Sequence, residues 1–109
     1  EAIAKANPFG DSKLQPGEGP SREERENGYY DVLFIGEYAD GTELRASVKG
    51  DRDPGYGSTS KMIAESALTL LETKADGGIY TPGAVMAAKL LERLEAHAGL
   101  SFALEESTA

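Results

Sequence analysis

The sequence predicts an α+β fold, a mainly antiparallel sheet with two helices packed on one face. Three observations predict it. Residues 29–38 are rich in aromatic and β-branched side chains, residues 43–49 alternate strictly, and Asp40-Gly41 lies between them. Two apolar stripes at helical spacing then run through 60–72 and 82–98. A last alternating run, Leu100, Phe102 and Leu104, can return to the sheet as a strand.

The first 28 residues are expected to form a long irregular connection, punctuated by Pro8, Pro16 and Pro20 with Gly10, Gly17, Gly19 and Gly28. The opening EAIAKA is helix-like but runs straight into Asn7-Pro8, as a cut from something longer would. One short helix is expected inside this stretch. Ser21 and Glu24 have the spacing at which a hydroxyl and a carboxylate cap each other's backbone amides, and Asn27-Gly28 supplies the stop.

The first strand carries Tyr30, Val32 and Phe34 on one face and Leu33 and Ile35 on the other, the pattern of a central strand buried on both sides. The second sets Leu44, Ala46 and Val48 against Arg45, Ser47 and Lys49. Its charged face suits an edge or a solvated surface. Asp40-Gly41 is expected to supply the positive φ angles of a tight hairpin. The first helix should bury Met62, Ile63, Ala67, Leu70 and Leu71, ending before the polar turn Lys74 to Gly78. For the second, Thr81 is placed to cap, Pro82 to begin and Gly99 to stop, with a stripe through Met86, Ala87, Leu90, Leu91, Leu94 and Ala98. Two helices cover one face only, so Leu33 and Ile35 call for a cover from missing chain or a partner subunit.

At 109 residues the chain is one domain's worth of material. The expected division is an irregular 1–28, a folded 29–105 and a tail 106–109. Its 11 Lys and Arg against 19 Asp and Glu leave a formal charge of −8, the wrong sign for nucleic acid. No cysteine is present, which removes disulfides, thiolate nucleophiles and Cys-type metal sites and is compatible with a reducing cytoplasm. No apolar run approaches the roughly 18–20 residues of a membrane span, and no basic-then-apolar leader opens the chain. A soluble, cytoplasmic protein is expected.

Among candidate sites, Gly50 to Met62 stands out, because a glycine-rich turn before a helix can offer amides to an anion. Gly55, Gly57 and Ser60 approach the dinucleotide fingerprint G-x-G-x-x-G. They fail its context: Gly50 to Pro54 intervene after an amphipathic strand, and Asp76 lies in a polar turn with no strong strand before it. Ser58, Thr59, Ser60 and Lys61 remain candidates for an anionic or polar group, weighed against a plain helix cap and turn. Asp51 and Asp53 beside Lys61 read as solvated loop carboxylates. The acidic cluster Glu18, Glu23, Glu24 and Glu26, interleaved with Arg22 and Arg25, reads as an exposed helix with i,i+4 pairing. His97, alone of its kind, sits where a cation complements a helix C-terminus. No metal site and no self-contained catalytic signature is expected.

Three spaced segments, PGEGPSREERENGYY from Pro16, DPGYGSTSKMIAESALTLL from Asp53 and GGIYTPGAVMAAKLLERL from Gly77, resemble the C-terminal region of saccharopine-dehydrogenase-like oxidoreductases, a group that includes trans-acting enoyl reductase-like proteins. Together they place the resemblance over roughly residues 16–104, most of the chain. The resemblance implies a fragment of a larger two-domain reductase, its Rossmann domain for NAD or NADP absent from this chain and no cofactor-binding residue within it. The fragment would then belong to the substrate-side and dimerisation domain, inactive alone, its partners the missing Rossmann domain and a second copy in a homodimer. The matched segment places Asp53, Pro54, Gly55, Tyr56, Thr59 and Lys61 nearest the cleft, with catalytic residues unassigned. A non-catalytic dimerisation or protein-interaction module is the alternative.

Overall fold

Residues 17–105 are described by a computed structural model. The expectations for residues 1–16 and 106–109 lie outside the described residues. The elements are α1 (Arg22–Asn27), β1 (Tyr30–Glu37), β2 (Glu43–Gly50), α2 (Gly57–Leu71), α3 (Pro82–His97) and β3 (Leu100–Glu105). The strands form one antiparallel sheet in the order β1-β2-β3, and the fold is α+β as the sequence predicts.

Local signals act where they stand in the sequence. Ser21 Oγ accepts from the Glu24 amide at 3.2 Å and the Glu24 carboxylate accepts from the Ser21 amide at 2.7 Å, closing the capping box of α1. Gly28 ends that helix with φ −67° and ψ 159°, an extended rather than left-handed stop. Its glycine is required for a different reason. A Cβ at Gly28 would lie 2.6 Å from the Asp53 backbone nitrogen, so α1 can approach the β2–α2 connection only without a side chain there.

The hairpin also differs in detail from the tight two-residue turn. Tyr38 N–H donates to the Thr42 carbonyl at 2.8 Å and Gly41 N–H to the Tyr38 carbonyl at 2.9 Å, and only Gly41, at φ 84°, is left-handed. This is a three-residue loop, in which Asp40 keeps a negative φ and its carboxylate accepts from the Thr42 amide and hydroxyl.

Strand order reverses the sequence reading. β2, expected at an edge, is the central strand, and β1, expected to be central and buried on both faces, is an edge with every residue but Tyr30 exposed. The reason is the return path of β3. Gly99, at φ 71°, turns the chain out of α3, its carbonyl accepts from Asp51 N–H, and Leu100 falls opposite Gly50. The charges on β2 tolerate a central position because each has a partner, on β1 for Lys49 and along β2 itself for Arg45. Lys49 meets Asp31 at 2.9 Å, Arg45 meets Glu43 at 2.9 Å, and Ser47, buried, donates its hydroxyl to Glu105.

The inner face of the sheet carries the core. Met86, Leu90 and Leu94 of α3 recur at four-residue spacing and, with Ala98 and Leu100, are buried against Val48, Phe102 and Met62. Ala87 and Leu91, the other members of the predicted stripe, are exposed, and the helix is interrupted at Ala87 (φ 43°, ψ −130°).

α2 starts three residues earlier than expected and turns a different side inward. Ser58, Met62, Glu65, Ser66 and Thr69 face the protein, whereas Ile63, Ala67, Leu70 and Leu71 are exposed. Met62 packs on the core, and the remaining contacts that hold this side in place are polar. The Glu65 carboxylate accepts from Arg93 Nε at 2.9 Å and lies 2.8 Å from its other guanidinium nitrogen, and Lys89 meets Glu72 at 2.6 Å, so two ion pairs join α2 to α3.

Because the obstacle at Gly28 is backbone and not a flexible side chain, Gly28→Ala is expected to destabilise the fold by about 1–3 kcal/mol, the range typical of overpacking. Urea unfolding checks this, and an unchanged midpoint would show that α1 does not seat against Asp53.

Candidate functional site

The connection from β2 to α2 is organised around one carboxylate. Asp53 Oδ1 accepts from the amides of Gly55 (2.9 Å) and Tyr56 (3.2 Å), and Oδ2 from the amide of Gly57 (2.5 Å). Its own amide donates to the Arg25 carbonyl, and its carbonyl accepts from Ser58 N–H. The Gly57 amide above all, then those of Tyr56 and Gly55 and the Arg25 charge, hold the Asp53 carboxyl below its ordinary range, outweighing partial desolvation. The helix N-terminus that could receive an external anion is therefore filled by a carboxylate of the chain itself.

The neighbouring polar groups are engaged in the same way. Thr59 Oγ1 donates to the Pro54 carbonyl at 2.6 Å, and Ser60 Oγ to the Gly57 carbonyl at 3.0 Å. Ser58, fully buried, shares a 2.8 Å hydrogen bond with the Tyr30 hydroxyl. Lys61 Nζ lies 3.1 and 3.3 Å from the Asp51 carboxylate oxygens and 3.4 Å from the Ala98 carbonyl, bracing the exit of α3.

Beside this loop an open apolar groove of about 460 Å³ runs between the inner face of β1 and α2. Tyr30, Val32 and Phe34 form its β1 wall, and Met62 of α2, Phe102 of β3 and Pro54 of the loop line it as well. Of the six residues singled out by sequence, Asp53, Gly55 and Tyr56 gather around the carboxylate, and Pro54 alone lines the groove. Tyr56 leaves its ring exposed against Gly19, Thr59 turns back on Pro54, and Lys61 points away to Asp51. Sequence reading missed the Tyr30–Ser58 pair. The available signal was Gly50, a glycine at the end of a strand, where a Cβ would lie 2.2 Å from the Tyr30 ring. Among the described residues no group of three or more His, Cys, Asp and Glu is placed to hold a metal, and no helix is long and apolar enough to cross a membrane.

Comparison with known proteins gives these features a context. Over 91 residues, covering 80% of this chain, the sequence is 41% identical to a "putative trans-acting enoyl reductase" found in two strains of Mycobacterium tuberculosis. Over 106 residues, covering 84% of the chain, it is 30% identical to a saccharopine dehydrogenase-like oxidoreductase of Bos taurus. The chain belongs to the saccharopine-dehydrogenase-like oxidoreductase family. It spans 22% of the length of the mycobacterial relatives of this family and 24% of the bovine one. No family model matches the chain, and no solved structure matches it.

Replacing the carboxylate tests its role in the site. Asp53→Ala is expected to lower the urea midpoint at neutral pH. Since the folded pKa of Asp53 lies below the unfolded value of about 3.9, its stabilisation is fully present above that value and is lost as pH falls through the folded pKa. The wild-type advantage should accordingly persist from neutral pH to about 4 and disappear below it. A difference that is constant with pH would point to backbone geometry instead of charge.

Proposed function

We propose that this chain is the C-terminal, substrate-side part of an NAD(P)-dependent oxidoreductase acting on a carbonyl, imine or enoyl substrate, with the nicotinamide held by a Rossmann domain elsewhere in the protein. The observation that carries the reading is the match to relatives named as oxidoreductases over less than a quarter of their length. The matched sequence offers no glycine fingerprint in a βαβ setting, so the cofactor is assigned to the remainder.

Within this reading the segment Asp53 to Lys61 borders the cleft between the two parts. Pro54 and the exposed Tyr56 are the side chains that make contact. Asp53, Gly55, Thr59 and Lys61 keep the loop in one shape, so that those contacts form with little loss of freedom. The apolar groove beside Pro54 suits the hydrocarbon portion of a substrate. A non-catalytic dimerisation module is the competing reading, motivated by the exposed Leu33 and Ile35.

Titration with NADPH separates the two. The complete protein is expected to bind it saturably in the micromolar range, and the 109-residue chain to show no specific binding. Failure of the complete protein to bind, or micromolar binding by the chain alone, would overturn the proposal.

A further inference from the structure

The outer edge of β1 has the properties of an interior strand. Tyr38 and Thr42 are a hydrogen-bonded pair, so in the register Glu37↔Glu43 to Tyr30↔Gly50 the residues that exchange bonds with β2 are Gly36, Phe34, Val32 and Tyr30. The N–H and C=O groups of Asp31, Leu33, Ile35 and Glu37 consequently point away from β2, along an edge of eight residues.

Edges that meet water are usually blunted by lysine, proline, a bulge or a short strand. β1 has none of these between Asp31 and Glu37. Its middle is Val32, Leu33, Phe34 and Ile35, exposed by 41%, 53%, 57% and 57%, with two side chains on each face of the sheet. A strand that is apolar on both faces and unpaired on one side asks for a neighbouring strand as well as a cover above and below.

We propose that in the complete protein β1 is an interior strand, its free edge hydrogen-bonded to a strand contributed by the part of the protein outside these 109 residues. This rests on the reading of the chain as one part of a longer oxidoreductase. Two observations select that occupant over a second copy. More than three-quarters of the mycobacterial relative lies outside the match, ample chain to supply a strand. Charge argues against self-pairing: the only ionised side chains of β1 are acidic, each chain carries a formal −8, and a two-fold pairing centred on Phe34 sets Asp31, whose charge Lys49 offsets only in part at an exposed site, opposite Glu37 at both ends.

Amide hydrogen exchange in the complete protein, read residue by residue by NMR, tests the pairing. The outward amides of Leu33 and Ile35 are expected to exchange as slowly as the inward ones of Val32 and Phe34, within about 10-fold. A cross-strand Hα contact should join β1 to a residue outside the 109. Exchange at Leu33 and Ile35 more than about 100-fold faster than at Val32 and Phe34 would overturn the proposal. So would a contact made instead by another copy's β1 or by residues 1–109. NADPH binding measured on the same sample keeps the two ideas apart. Binding with fast Leu33 and Ile35 amides removes only the strand pairing, and protected amides without binding remove only the nucleotide reading.

Discussion

Asp53 holds three elements at one point. Its amide ties the β2–α2 connection to the last turn of α1 through the Arg25 carbonyl, its carboxylate gathers the amides of residues 55–57, and its carbonyl starts the first turn of α2 through Ser58. Glycines at 28 and 57 are what let the chain close around it. At Gly57 a Cβ would lie 2.8 Å from the Asp53 carboxylate and 2.9 Å from the Arg25 carbonyl. A glycine-rich turn before a helix is commonly read as an invitation to an anionic ligand. Here the same chemistry has been turned inward, because the chain supplies its own anion and so fixes the direction in which α2 leaves the sheet.

The start of α1 and both ends of α3 were legible in the sequence because their causes are local, whereas α2 starts three residues before its expected position. Ser21 with Glu24, Thr81 with Pro82, and Gly99 each act within a few residues, and each acts where it was expected. The hairpin was legible in position but not in type, since Asp40-Gly41 suits more than one turn and only the pairing of Tyr38 with Thr42 selects among them. Strand order was not legible. An apolar strand such as β1 does not say where in a sheet it stands, and the charged face of β2 concealed the cross-strand partner Asp31 and the same-strand partner Glu43.

The same limit applied to α2. Hydrophobic spacing found the stripe through Ile63, Leu70 and Leu71, and the structure leaves that stripe outside while Glu65 and Thr69 pack inward. Periodicity measures how apolar residues are distributed around a helix, and a helix with apolar residues on more than one side has no unique inward face until its neighbours are known. Among the described residues five apolar side chains are buried and sixteen large ones are exposed. Such a balance is in keeping with a chain that spans less than a quarter of the length of its relatives. The candidate site follows this pattern. Pro54 and the β1 wall of the groove lie where the chain's own cover ends, whereas the polar groups nearby are satisfied internally.

The junction between α3 and β3 has a consequence for how the sequence can change length. Ala98 is buried, Gly99 makes room for the Asp51 carboxylate, and Leu100 enters the sheet directly opposite Gly50, with no slack between helix and strand. Adding one residue near the end of α3 would rotate the helix by about 100° and exchange the two faces of β3. Insertions and deletions are thereby steered toward residues 74–80, an exposed connection that can lengthen or shorten without disturbing the phase of either neighbour.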